Sequence, residues 1–290
     1  MKRILYTNVD GETINIFERP PFILQKIEGF GSVQNEISYD GSYGMDGATK
    51  ISDRLAVRDM LIEGTIVADN NEQLMEYRQE LAKIFNPKIS GTLNYKEYDK
   101  EYVIDIEVEH APNFDMENTK RSQKFQLMLK ALDPYWTDKS EIDAEISMAR
   151  EENLFEFPLE ITEEFEFSRL IAGDVIEIHN NGDVAVGAVF TINVNGILVN
   201  PSLYNVITQE YFALNGTFTT GTRLRISTVR GKKRVEQDDG DGWYNIMTKR
   251  KVESTFLQID RGINYLQLQA DSGVEFTTSY IRFEPKILGV

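Results

Sequence analysis

Along the first half of the chain, apolar side chains fall at every second position in a series of short runs. In GETINIF, Ile14 and Ile16 alternate with Thr13, Asn15 and Phe17. In MLIEGTIVAD, Met60, Ile62 and Ile66 share one face. In YVIDIEVEH, Tyr102, Ile104, Ile106 and Val108 face one way, and Asp105, Glu107 and Glu109 the other. KFQLMLKAL repeats the pattern with Phe125, Leu127, Leu129 and Ala131. A period of two with a polar opposite face predicts antiparallel strands buried on one side. FILQKIEGFG, behind the breaker Pro20-Pro21, is read as another strand.

One segment changes period. DNNEQLMEYRQELAKIFNP places Leu74, Tyr77, Leu81, Ile84 and Phe85 at helical spacing. Asn70 or Asn71 can cap its start, Gln73 stands three residues after Asn70 as a capping box requires, and Pro87 stops the run. The spacing predicts one helix of about four turns lying against a sheet.

Between Asp138 and Ser168 the alternation breaks down. KSEIDAEISMAREENLFEF mixes charge with scattered Ile, Leu and Phe. It reads as a linker, or as an arm lying on a neighbouring surface, because its apolar residues argue against a freely solvated tether. Strand patterns resume at Leu170. They are separated by Asn-Asn-Gly-Asp, Val-Asn-Gly and Asn-Pro, and Asn-Gly suits two-residue type I′ hairpins. GTRLRISTVRGKKRV predicts a hairpin turning at Arg230-Gly231, and GINYLQLQA and SYIRFEP close the unit. Many short strands at even spacing, without helices between them, predict a β-sandwich. The expected fold class is therefore mainly β, with two β-sandwich-type domains, the first carrying one packed helix. The expected boundaries are 1–137, an acidic linker or arm at 138–168, and 169–290.

The totals agree with two domains, since 290 residues exceed one ordinary core. No apolar run approaches the roughly 18–20 residues that span a bilayer, so no membrane insertion is expected. The start, MKRILYTNVDG, lacks the long apolar stretch of a signal peptide. The absence of cysteine excludes disulfides, thiolate metal sites and cysteine nucleophiles. Of the net charge of −16, residues 138–168 carry −9, with 11 acidic and 2 basic side chains, while residues 169–290 are neutral. Such a balance disfavours specific nucleic-acid binding, because phosphate neutralisation supplies most of that affinity.

Candidate chemistry is sparse. His110 and His179 lie far apart in sequence, without metal-ligand spacing. SYDGSYGMDG offers Asp40, Ser42 and Asp46 at calcium-loop spacing, but Ile51 stands where the closing glutamate belongs, so a glycine-rich surface loop is expected. EQDDGDGWYN places Asp238, Asp239 and Asp241 beside Trp243 and Tyr244. It reads as a calcium loop, a sugar platform using Asp241, Trp243 and Tyr244, or a polar hairpin tip anchored by its aromatics. No nucleophile, phosphate-loop or dinucleotide motif is present, and no catalytic residue, cofactor or metal is expected. RGKKR reads as a solvated basic turn. In ALDPYWTD, Pro134 ends the strand. Tyr135 and Trp136 then form either a lid on the domain's own core or an anchor against another surface.

FILQKIEGFG, SYDGSYGMDG, DMLIEGTIVAD, the helix ending IFNP and the closing FQLMLKALDPYW together resemble the siphophage distal tail protein, or phage tail component, family. IHNNGDVAVGAVFTINV, VNPSLYN, RLRISTVRGKKRV and RGINYLQLQA follow in the order of that family's second domain, so the resemblance covers nearly the whole chain. It implies a structural protein without enzymatic activity, in the virion tail after synthesis in the host cytoplasm. Its N-terminal domains form a homohexameric ring through which DNA passes. Its second domain is galectin-like or carbohydrate-module-like. The implied partners are the tail tube protein, a tail-tip hub or tail-associated lysin-type protein, and a receptor-binding protein. On this view Tyr39, Asp40, Tyr43, Asp46, Tyr135 and Trp136 are oligomer-interface candidates, and the arm from Asp138 joins them. The alternative is a carbohydrate-binding protein that uses the second sandwich for attachment to the host cell wall.

Overall fold

Burial follows the alternating pattern strand by strand. The computed structural model describes residues 2–31, 33–41, 43–44, 46–115, 121–142, 144–153 and 168–290. It resolves the chain into two units, Met1–Ser140 with Lys286–Val290, and Glu141–Pro285.

The first unit contains β1 (Lys2–Asn8), β2 (Thr13–Ile16), β3 (Phe22–Glu28), β4 (Asn35–Asp40), β5 (Thr49–Leu55), β6 (Arg58–Val67), α1 (Asn71–Ile84), β7 (Gly91–Glu97), β8 (Lys100–Val108), β9 (Asn113–Phe114), β10 (Ser122–Ala131) and β11 (Trp136–Asp138). The main sheet runs β2-β1-β7-β8-β10-β6-β3. Its two ends meet where Phe17 bridges Ile23 and the Leu24 N–H donates to the Phe17 carbonyl at 2.7 Å, so the sheet rolls around its core. Ile62, Ile66, Ile104, Ile106, Phe125, Leu127 and Leu129 all point into that core, as their alternation predicts. β1 was not anticipated; it buries Ile4 and Tyr6. Gly64 lies beneath the Phe125 ring, where a Cβ would come within 2.4 Å of the ring edge.

α1 is capped as expected. The Asn70 side chain accepts from the Gln73 N–H at 2.9 Å. The Gln73 side chain accepts in turn from the Asp69 N–H, one residue before the cap, rather than from that of Asn70. Leu74, Leu81, Ile84 and Phe85 are buried, and Phe85 stacks on Tyr6 with ring centroids 4.3 Å apart. Burial pushes the Tyr6 phenol up to about 12.

The second unit contains β12 (Glu145–Ser147), β13 (Ala149–Asn153), β14 (Ser168–Ala172), β15 (Val175–Asn180), β16 (Val186–Val194), β17 (Leu198–Val199), β18 (Ser202–Asn205), β19 (Tyr211–Ala213), β20 (Thr217–Phe218), β21 (Arg223–Ser227), β22 (Arg234–Asp238), β23 (Tyr244–Asn245), β24 (Gln258–Ile259), β25 (Gly262–Gln269) and β26 (Thr277–Phe283). One sheet runs β12-β26-β16-β21-β22-β23, with β24 on β16; the other runs β15-β25-β18-β19. Both send apolar residues into a single core, among them Phe190, Ile192, Leu224 and Ile281 from the first and Ile178, Leu203, Phe212 and Leu268 from the second. The hairpin at Arg230-Gly231 is present, with Gly231 at φ 77°. The hairpins expected at the Asn-Gly sites after β15 and β16 are not. β15 pairs with β25, and β16 pairs with β21 and β26, so these connections leave one strand partner for another. Asn180 is buried, and its side chain bridges the Val184 and Ile259 carbonyls, anchoring a crossing loop instead of a turn.

The expected arm at 138–168 is partly strand. Thr137 and Asp138 pair with β8, β12 pairs with β26, and β13 pairs with β14. Residues 154–167 lie outside the described residues. The chain end departs from the expected second domain: β27 (Lys286–Ile287) pairs with β11 in the first unit. A buried cation holds it there. The Arg58 guanidinium donates to the carbonyls of Gly29 (2.6 Å), Phe30 (2.9 Å), Pro134 (2.8 Å) and Leu288. The neighbouring Trp136 indole N–H donates to the Phe30 carbonyl at 3.0 Å. Gly289 sits so close to Gly31 that a Cβ would come within 2.4 Å of the Gly31 carbonyl oxygen.

Arg58→Leu would leave these carbonyls unpaired, and is expected to destabilise the first unit by about 3 kcal/mol or more. Deleting Lys286–Val290 should weaken the same unit, although the segment lies at the far end of the chain. Urea unfolding followed by tryptophan fluorescence measures both, and unchanged midpoints would refute the role of this cluster.

Candidate functional site

β4 and β5 form a two-stranded ribbon that, among the described residues, pairs with no other strand. Both of its faces are exposed along most of its length. It nevertheless carries large apolar side chains: Ile37 is 53% exposed, Tyr39 71%, Tyr43 fully and Ile51 68%. An ion pair between Arg54 and Glu36 (2.7 Å) joins the two strands at a register position, and Lys50 pairs with Asp53 (2.8 Å) within β5. An isolated two-stranded hairpin is marginal in water. A ribbon with unpaired edges and apolar side chains in solvent is a template for association.

The structure brings Tyr39, Asp40, Tyr43 and Asp46 together at the outer end of this ribbon, all exposed. Ser42, the third member of the calcium-type spacing, lies outside the described residues. No group of three or more histidine or acidic side chains suited to a metal occurs among the described residues. Tyr135 and Trp136 are not part of this end. Trp136 is fully buried, packed against Phe30 and Tyr95, so it is the lid of its own core and is corrected from an interface candidate. Tyr135 is half-buried beside it.

In the second unit, Trp243 lies beneath two guanidiniums, with Arg225 at 4.1 Å and Arg223 at 5.3 Å from the ring centroid. It borders a hollow of about 150 Å³ with Arg225, Glu145 and Arg282. The neighbouring acids serve the turn. Asp238 is buried; it accepts from the Gly240 and Gly242 N–H groups at 2.8 and 3.1 Å and pairs with Arg223. Asp239 accepts from the Tyr244 hydroxyl (2.6 Å), Gln237 and Thr222. Asp241 is exposed. Asp241, Trp243 and Tyr244 are thus near neighbours on a hairpin tip held by its own hydrogen bonds. They do not form an open aromatic row, because Trp243 is stacked with arginine and the Tyr244 hydroxyl is engaged by Asp239.

A second hollow, of about 350 Å³, lies on the outer face of the four-stranded sheet. Asn200, Tyr204, Tyr211, Lys251, Gln269 and Asp271 line it. Tyr204 and Tyr211 are register partners across β18 and β19, so their side chains share one face. The sequence reading did not single them out. Reading SLYNVITQEYFA as a hairpin would have placed the two tyrosines side by side. His110 and His179 are exposed and belong to different units. Arg230, Lys232, Lys233 and Arg234 are exposed, as a solvated turn predicts, and the Lys233 ammonium sits 5.0 Å from the Phe256 ring centroid.

The Gly240 N–H, with help from Arg223 and the Gly242 N–H, holds the Asp238 carboxyl below its ordinary value of 3.8. A folded-state value below the unfolded one stabilises above the unfolded pKa, and that contribution is lost as pH falls through the folded value. Asp238→Asn should therefore lower the melting temperature at neutral pH, with a deficit that narrows below about pH 4. Thermal melts of both proteins across that range provide the check, and a deficit independent of pH would contradict it.

A model of the phage tail protein RIFT-related domain matches residues 9–131, and a model of the siphovirus-type tail component C-terminal domain matches residues 181–282. No curated protein matches the chain. Among solved structures, the Dit protein of phage SPP1, described as a paradigm of the hub adsorption apparatus in phages infecting Gram-positive bacteria, is similar at TM-score 0.71 and 12% identity, with 98% of each chain covered. A chain of the phage P2 baseplate in its activated conformation with calcium is similar at TM-score 0.51 and 10% identity, covering 100% of this chain and 99% of its own. At these identities the two structures speak to the fold, and the fold agrees with the two domain matches. This chain belongs to the siphophage distal tail, or phage tail component, family.

Proposed function

We propose that six copies of this chain close into a ring at the distal end of a long non-contractile tail. The ring joins the tail tube to the tail-tip hub and lets the genome pass. Its neighbours are the tail tube protein, a tail-associated lysin-type hub protein and a receptor-binding protein. The chain itself has no enzymatic role, and is made in the host cytoplasm before incorporation into the virion. The copy number and these neighbours come from the family. What this chain adds is the β4–β5 ribbon, the single observation that carries the reading.

Closed rings use head-to-tail interfaces in which one patch meets a different patch on the next copy. A projecting ribbon with exposed Ile37, Tyr39, Tyr43 and Ile51 is suited to be one half of such a joint. Burying each isoleucine there contributes about 1.5–3 kcal/mol. The acidic chain serves passage as well. Six copies multiply a formal charge of −16, and walls of that sign repel phosphates, so DNA slides without specific binding.

Ile37→Glu and Ile51→Glu, each on an exposed strand position, should leave the melting temperature within about 1 °C, since surface substitutions cost little. Each should weaken self-association by at least about tenfold. Light scattering across a concentration series, with electron microscopy of the assembled species, reads the result. Rings that form equally well from both variants would overturn the assignment.

A further inference from the structure

We propose that Asn195 is a self-modification site. Its side-chain amide is lost to the backbone nitrogen of Gly196, and the turn after β16 acquires an aspartyl or isoaspartyl residue. The proposal does not depend on ring formation.

The chain holds three Asn-Gly pairs, Asn181-Gly182, Asn195-Gly196 and Asn215-Gly216. Glycine has no Cβ to shield its nitrogen or restrict its backbone, so that nitrogen can reach the preceding side chain. The glycine nitrogen gives up its proton to solvent base and bonds to the asparagine Cγ. The Cγ–Nδ2 bond breaks, and Nδ2 takes up a proton and leaves as ammonia. Water then opens the resulting succinimide at either carbonyl, which yields aspartate or isoaspartate. Nothing is oxidised or reduced. The step requires an accessible amide and a glycine N–H that solvent base can reach.

All three asparagines are exposed, so the first requirement does not separate them. The second does. The Gly182 N–H donates to Asn180 Oδ1 at 2.9 Å, and Gly182 is buried. The Gly216 N–H donates to Asn200 Oδ1 at 2.8 Å. Both acceptors are themselves fixed: Asn180 Nδ2 donates to the Val184 and Ile259 carbonyls, and Asn200 Nδ2 to Asp271. An engaged N–H must break its hydrogen bond before it can lose its proton. Asp239-Gly240 and Asp241-Gly242, open to the same ring closure, are likewise tied, because both glycine N–H groups donate to Asp238 Oδ1. Among the described residues, the Gly196 N–H and the Asn195 side chain have no hydrogen-bond partner.

Packing keeps this pair in the turn. Gly196 lies against Phe276, where a Cβ would come within 2.7 Å of the Phe276 Cβ, so a larger residue does not fit. The Asn195 N–H donates to the Phe276 carbonyl at 2.8 Å, and the Thr220 hydroxyl donates to the Gly196 carbonyl at 3.2 Å. Conversion places a carboxylate beside the exposed Ile197 and Phe276, in a half of the chain that is otherwise neutral. The isoaspartyl product also adds a methylene to the main chain at that turn.

Full-length protein incubated in mildly alkaline buffer, then digested with chymotrypsin and read by tandem mass spectrometry, tests this. Deamidation should appear first at Asn195, about two- to tenfold faster than at Asn181 or Asn215, the factor set by one hydrogen bond. In urea the three rates should converge, because the protecting bonds are gone. Asn200→Gly, which suits φ 49° and removes the acceptor of the Gly216 N–H, should bring Asn215 up to the rate of Asn195 and leave Asn195 unchanged. Labelling with a protein isoaspartyl methyltransferase should track the Asn195 product and vanish in Asn195→Gln. Melting curves identify a variant that fails to fold, and the rank order in the natural protein stands without it. Conversion of Asn181 or Asn215 as fast as Asn195 in folded protein would overturn the proposal. So would an Asn195 that reacts only in urea.

Discussion

A buried guanidinium is costly unless every donor it carries is met, and the first unit is organised around meeting those of Arg58. Four carbonyls from three separate stretches converge on it: Gly29 and Phe30 after β3, Pro134 before β11, and Leu288 near the chain end. Burial pulls its pKa down, yet an arginine stays charged, so the arrangement holds only while those carbonyls remain aimed at it. Trp136 closes over the same site and shares the Phe30 carbonyl. Ile287 and Val290, partly buried, thereby pack against the first unit's core.

This rigidity gives the ribbon its meaning. A rolled sheet with satisfied edges has little need of a partner, whereas β4 and β5 leave that sheet and carry apolar side chains into solvent. The unit thus separates a part complete by itself from a ribbon whose apolar side chains stand exposed. The second unit repeats the division at smaller scale. Its core faces are apolar, the Trp243 hairpin is tied down by arginine and aspartate, and Tyr204 and Tyr211 stand side by side on an outer face.

The legible parts of the sequence were those where one face is buried and the other wet. β6, β8, β10 and α1 announce themselves because Ile62, Ile106, Leu127 and Leu81 recur at the period of their element. β4 and β5 gave no such signal, because a ribbon exposed on both faces has no apolar stripe to detect; only its glycine-rich tip was visible. Strand partners in the second unit were hidden for another reason. Asn-Gly marks a place where the chain can turn tightly, but not whether the next strand returns to the same partner, and Asn180 shows it leaving. Arg58 looked like any surface arginine, since its acceptors are backbone carbonyls, which every sequence possesses. The Trp136 signal was real but admitted two readings, and burial decided for the lid. The tyrosine platform needed a register, which requires knowing the hairpin first.

The account turns on the ribbon being completed by another copy of the chain. The natural sequence contains no cysteine, so Tyr43→Cys accepts a single nitroxide at the ribbon's end without side reactions. Its electron paramagnetic resonance spectrum, recorded while light scattering follows the mass, reports directly on that end. The account predicts a mobile spectrum in dilute monomer that becomes immobilised in step with assembly. A label that stays mobile in fully assembled rings would contradict it.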